Sequence, residues 1–355
     1  MIDDKDKSSI KIYAALFSLL LLLIVIILLM YAVFERNEKS YERLDKAMQT
    51  YIQQIVYGNN AEEISQKAIQ NINDLEKLIS SKDEFSNIYK LNLYSGNKWV
   101  DINSTILEIL SLCVEVSQKS FGAVDPTILP LLSIWGLDED SPRLPTSTEI
   151  KNSLDYVDYR NLKLNMDVNR AKLLKEGAAV DLSCVMKGAA CKIAIDTYAL
   201  EHANCGIVEI GSSVGVYGVK SNRTDWRIAI LDPFIDAENA EGVVVLKIKK
   251  GFISTASLRQ HSFELNGQTY YSFINPKTGY PVETDLVSVS IWHENGVISD
   301  LLSTACFVMG RTKSQYLLDY YGAGAIFIDN NKKVYATDNI RNNLIIIDDD
   351  YKFLS

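Results

Sequence analysis

From Tyr13 to Phe34 the chain runs for 22 residues without a charge. At about 1.5 Å of rise per residue, a helix of that length crosses a hydrocarbon core of roughly 30 Å. The run is longer than a typical signal-peptide core, and no small-x-small cleavage site follows it. The expectation over 13–34 is therefore one retained transmembrane helix, ahead of a cleaved signal peptide or a buried helix. Residues 1–12 would form a short cytoplasmic tail. Lys5, Lys7 and Lys11 before the span are matched by Arg36, Lys39, Arg43 and Lys46 after it, so the positive-inside rule leaves the orientation open. Residues 35–47 are polar and charged, which suits a short helical stalk, and residues 48–355 read as one globular region.

Within that region the hydrophobic period alternates between helix and strand. Thr50–Gly58 reads as a strand ending at a glycine. Ile64, Ala68, Ile72, Leu75 and Leu78 recur near helical spacing between Ala61 and Ile79. Further helices are expected over Ile106–Ser117, over Lys187–His202 with Cys191, Ile195 and Tyr198 on one face, and over Val297–Met309. Strand-like runs occur at Gly206–Gly211, Val214–Lys220, Trp226–Leu231, Val243–Lys249 and Val287–Trp292. Helices and sequential strands together predict a two-layered α+β domain with mixed sheets and packed helices.

Composition narrows the function. The formal net charge of −9 argues against a nucleic-acid partner, which needs a basic face. Five scattered cysteines form neither a disulfide framework nor a zinc pattern. No glycine-rich dinucleotide fingerprint or phosphate loop is present.

Four segments carry candidate chemistry. In Gly122–Gly136, Asp125 stands before a proline, which is either a simple turn cap or part of a site. In Val180–Ala190, a strand would deliver Asp181, and Lys187-Gly188 would open a helix whose free amides and lysine suit an anion; the plainer reading is a solvated lysine at a turn. Ser272–Glu283 reads as a pair of tight turns. In Ile298–Gly310, Asp300 and Thr304 are four residues apart and share a helix face. That pair is either an ordinary exposed polar pair or two oxygen ligands for Mg²⁺.

Read in order, these segments resemble the ApbE family of FAD:protein FMN transferases. The similarity includes Met48–Thr50, Ser86–Asn92, the Asp125-Pro-Thr segment, the Asp181–Gly188 segment, Glu209–Gly211, Trp226–Pro233, Ile274–Val282, Leu286–Ser290 and Ser299–Gly310. The resemblance implies an ApbE-like domain that binds FAD with Mg²⁺. A Thr or Ser hydroxyl of an acceptor flavoprotein, within a motif Asp-Gly-x-Ser/Thr-Gly-Ala-Thr, then takes FMN with release of AMP. It implies FAD contacts at Met48, Ala123, Val124, Asp125, Asp181, Lys187 and Ile274. It implies a metal held by the main-chain carbonyl of Cys184 with Asp300 and Thr304, and Ser303 beside them. It further implies a single-pass membrane protein with its catalytic domain outside the cytoplasm.

The chain departs from the family where His-x-Ile-Asp-Pro is expected, because Ser272, Ile274, Asn275 and Pro276 stand there. Serine has no pKa near neutrality and cannot replace the histidine as a base. Ser272 is thus the catalytic-position candidate, and two readings follow. One is an FMN transferase; the other is a catalytically impaired, membrane-anchored flavin-binding protein.

Overall fold

The computed structural model describes residues 17, 19–27, 39–138, 141–220, 222–235, 239–258, 262–265 and 267–354. Most of the 13–34 span lies outside these residues. The part they include, 17 and 19–27, is helical and exposed. No helix among the described residues is long and apolar enough to cross a membrane.

The centre of the molecule is a nine-stranded sheet. Its spatial order is Ser40–Ala47, Thr50–Tyr57, Cys205–Ile210, Ser213–Gly218, Gly251–Ser257, Leu286–His293, Gly324–Asp329, Lys333–Ala336 and Lys352–Phe353. Neighbours are antiparallel except for the last pair, which is parallel. Alternation along each strand sorts side chains to the two faces. Phe252, Ala256, Val289, Ile291, Ala325 and Phe327 point to one core, and Ile253, Val287, Ile326 and Ile328 to the other. A bulge between Leu286 and Ser288 switches the parity of that strand, so Leu286 and Val289 lie on the same face.

The first core is roofed by the helices Ala61–Ile79, Ser104–Lys119, Ser183–Leu200, Gly296–Met309 and Arg311–Tyr321. The second is closed by a separate three-stranded sheet, Trp226–Leu231, Gly242–Ile248 and Leu344–Ile346, through Ile228, Ile230, Val244, Leu246 and Ile248. The class is α+β, but helices, large sheet and small sheet make three layers where two were expected. Strand periodicity shows which side of a strand is apolar and not which sheet it joins. Because both faces of the large sheet are covered, Gly324–Asp329 is buried along its whole length.

The expected helical stalk is also corrected. Ser40–Ala47 is an edge strand paired residue by residue with Thr50–Tyr57. Its alternating charges, with Arg43 bonded to Asp45 at 2.6 Å, suit a strand with one side in water. Met48 and Gln49, expected as the start of the globular region, form the two-residue turn of this hairpin, with φ of 54° and 58°. The Met48 amide donates to Glu76 at 2.8 Å. The helix expected to open at Lys187 begins one turn earlier, at Ser183, and ends at Leu200 before His202, whose φ is 58°.

The helices Ser183–Leu200 and Gly296–Met309 touch backbone to backbone. A Cβ on Gly188 would lie 2.2 Å from the Gly296 carbonyl oxygen and 2.7 Å from Asp300 Cβ, and one on Gly296 would lie 2.4 Å from the Gly188 oxygen. Gly188→Ala gains helix propensity yet cannot be fitted without moving one helix. It should cost about 3 kcal/mol, read as a lower midpoint in denaturant with an unchanged m-value. An unchanged midpoint would mean the crossing is not tight.

Candidate functional site

The four segments converge at the ends of the two touching helices. The Asp125-Pro126-Thr127 turn is closed by its own side chains. Asp125 Oδ1 accepts from the Thr127 amide at 2.8 Å and its hydroxyl at 2.7 Å, and Oδ2 accepts from the Tyr159 amide at 2.9 Å. The turn-cap reading therefore describes what Asp125 does within the protein. The Pro126 carbonyl in turn accepts from the Asp181 amide at 2.8 Å, which joins the first segment to the second. Asp181 Oδ1 then accepts from the Ser183 amide at 2.9 Å and from the Ser183 hydroxyl, and so leads into the helix. No strand delivers Asp181; an isolated bridge between Ile128 and Ala179 precedes it. Burial pushes both carboxyls above the ordinary carboxylate range, against the pull of these hydrogen bonds.

Asp300 sits where the helices cross. Its Oδ2 accepts from the Gly188 amide at 2.8 Å, while Oδ1 takes no protein hydrogen bond. Burial raises its pKa to about 6, opposed by the Gly188 bond and by the nearby charge of Lys187. Gly188 is the residue whose amide would pair with the Cys184 carbonyl in a regular helix. Asp300 thus binds the backbone of the turn that carries that carbonyl. Lys187 is half-buried and passes close to Gly211: a Cβ on Gly211 would be 3.3 Å from Lys187 Cδ and Cε. Lys187 is in the second turn of its helix, one turn beyond the position expected for it.

Thr304 lies one turn beyond Asp300 and is half-buried, with no protein partner for its hydroxyl. Ser303 differs: its hydroxyl donates to the Asp300 carbonyl at 2.8 Å inside the helix and is buried. Asp300 and Thr304, with the Cys184 carbonyl, are hard oxygen donors suited to Mg²⁺, which takes few protein ligands beside phosphate and water. Among the described residues, no three His, Cys, Asp or Glu side chains form a metal-binding group. Burial, with Cys113, Asp181 and Asp300 nearby, raises the Cys184 thiol well above its usual pKa, so it stays protonated.

The third segment is pinned to the others. Trp135 Nε1 donates to the Gly279 carbonyl at 2.9 Å, and Phe273 stacks on Phe307 of the Asp300 helix at 4.7 Å. Ser272, next to Phe273, is half-buried. Met48, Ala123, Val124 and Ile274 are buried, Met48 and Val124 in the main core and Ile274 against Leu131, Trp135 and Ile150. Burial leaves little of these side chains for a ligand to touch. A cleft of about 810 Å³ opens beside Asp125, lined by Phe121, Tyr159, Arg160 and Lys277 among others. The sequence reading did not single out Gly188 with Gly296, or Phe121 and Lys277. A glycine inside a helical pattern was the available signal for the first pair; Phe121 and Lys277 left none.

The model of the ApbE family matches residues 48–327. The FAD:protein FMN transferase of Treponema pallidum is 25% identical over 328 residues, covering 87% of this chain and 90% of its own. That of Buchnera aphidicola is 27% identical over 316 residues, covering 87% and 92%. The crystal structure of the ApbE protein from Thermotoga maritima superimposes with a TM-score of 0.78 at 26% identity, covering 86% of this chain and 99% of that one. With the family pattern running through nearly the whole folded region and the same architecture in a solved relative, this chain belongs to the ApbE family.

Proposed function

We propose that the chain is an FAD:protein FMN transferase that moves FMN from FAD to a Thr or Ser hydroxyl of an acceptor protein, releasing AMP. The observation that carries this reading is Asp300: a buried carboxylate anchored through one oxygen on the Gly188 amide, with the other oxygen unpartnered beside Thr304 and Lys187. That oxygen is not sealed among the buried unpartnered atoms, so solvent, and with it a cation, reaches it. Mg²⁺, held by Asp300, Thr304 and the Cys184 carbonyl, would supply neutralisation of diphosphate charge.

The chain's own groups do the rest. Lys187 places a fixed positive charge beside Asp300, where it binds a phosphate oxygen. The first-turn amides of the helix starting at Ser183 add partial positive charge toward the same place. Asp125 lines the cleft, and the flavin would lie beside it and its neighbours Ala123, Val124 and Ile274. Ser272 donates or accepts a hydrogen bond at the position of the family histidine but does not take a proton at neutral pH. That substitution favours a second reading, in which FAD is held without being cleaved. The uncharged run at 13–34 supports a single-pass anchor; the placement of this domain outside the cytoplasm follows from the family resemblance alone.

The two readings separate in one assay. The full chain, with FAD, Mg²⁺ and a peptide containing Asp-Gly-Leu-Ser-Gly-Ala-Thr, should release AMP and add FMN mass to the peptide. Tight FAD binding without AMP would establish the binding protein instead. For Asp300→Asn, Mg²⁺-dependent transfer should fall by about 100-fold or more. The folded pKa of about 6 lies above the unfolded value, so the ionised carboxylate costs stability. That stability is full below the unfolded pKa and is lost as pH rises through about 6, amounting to roughly 3 kcal/mol. In metal-free buffer at neutral pH, Asp300→Asn should therefore melt higher than the native chain. A lower melting temperature would make Asp300 a purely structural residue.

A further inference from the structure

Phe121 has a φ of 55°, in the left-handed region that strains a bulky side chain, and is 68% exposed. Burial of the ring therefore gives little compensation for the strain. The ring lies 5.7 Å from that of Tyr316, whose hydroxyl donates to the Lys119 carbonyl. The Lys119 ammonium sits 4.1 Å over the ring of Tyr320. Tyr316 and Tyr320 are 43% and 56% exposed. Together the three rings form a ridge held between the end of the helix Ser104–Lys119 and the helix Arg311–Tyr321. Single exposed apolar residues are ordinary, whereas contiguous aromatic ones mark contact surfaces. Strain at an exposed residue points the same way. The ridge is continuous with the cleft, because Phe121 lines it with Gly122, Asp125 and Lys277.

We propose that this ridge docks the acceptor polypeptide, with an apolar side chain next to the accepting Ser or Thr packing on Phe121 and Tyr316. The proposal rests on the transferase reading. A small ligand is enclosed by its site, with most of its surface buried, whereas Phe121 stands at the rim of the cleft with most of its surface in solvent, and Tyr316 and Tyr320 lie beyond the lining. Exposed aromatic rings at the mouth of a cleft instead match the anchors by which one protein holds another. Docking there brings the flanking hydroxyl to the cleft beside Asp125.

The test uses the full chain loaded with FAD and Mg²⁺, and the Asp-Gly-Leu-Ser-Gly-Ala-Thr peptide. Peptide binding is followed by fluorescence anisotropy and transfer by mass. Phe121→Asn removes the ring but keeps a residue that accepts the left-handed backbone, and Tyr320→Ala shortens the far end of the ridge. Both variants should weaken peptide binding and raise its KM about fivefold or more. For Tyr320→Ala, outside the cleft, kcat and FAD affinity should stay within about twofold, and the melting temperature of Phe121→Asn should not fall. Unchanged peptide binding overturns the proposal, and so does a loss of FAD affinity in Tyr320→Ala, which would give the ridge to the flavin. If the native chain binds the peptide but transfers nothing, the transferase reading fails, while the binding comparison still decides the role of the ridge.

Discussion

The contact between Gly188 and Gly296 governs the site. Only with both side chains absent can the two helices approach until backbone meets backbone. That approach brings Asp300, one turn along its helix, within 2.8 Å of the Gly188 amide. The carboxylate is thereby held by the very turn that carries Cys184 and Lys187. Every other element of the site is placed relative to this crossing: Phe273 stacks on the Asp300 helix, Pro126 accepts from Asp181, and Trp135 binds Gly279.

The electrostatics follow from the same geometry. Asp125, Asp181 and Asp300 are each raised by burial. Asp125 is offset by donors from Thr127 and Tyr159 and Asp181 by those of Ser183, and Asp300 by a single amide and the field of Lys187. A fold selected only for stability would satisfy Asp300 fully or replace it with an apolar residue. Asp181 also keeps one oxygen without a protein partner, since both of its donors bind Oδ1; Asp300 differs in that its single donor lies 112 residues away and Lys187 sets a positive charge near it.

Much of the architecture was legible in advance. The helix faces of Ala61–Ile79 and Ser183–Leu200, and the strands from Cys205 to Ile248, agree with the hydrophobic period within a few residues because burial on one side imposes that period. The strands Gly251–Ser257, buried except for a half-buried Thr255, and Gly324–Asp329 were not picked out, since burial on both faces erases alternation. Ser40–Ala47 was misread as helical because a charged edge strand takes its apolar partner from across the ladder. Of the site, Asp300 and Thr304 stood out through their four-residue spacing, and Asp181 and Lys187 through their turn. Ser303 was expected beside Asp300 and Thr304, and its hydroxyl is bonded within the helix instead.

Taken alone, the order of residues determined the α+β class, the family resemblance and the chemical types available to the site, because local period and motif order are properties of the chain itself. The tertiary structure decided that there are three layers, that Asp125 closes its own turn while Asp300 keeps an oxygen open, and that Phe121 is strained on an exposed rim. Those facts depend on which distant groups meet: the Gly188 amide and Asp300 are 112 residues apart. No local pattern encodes a hydrogen bond across that separation; the packing of two helices on one sheet does.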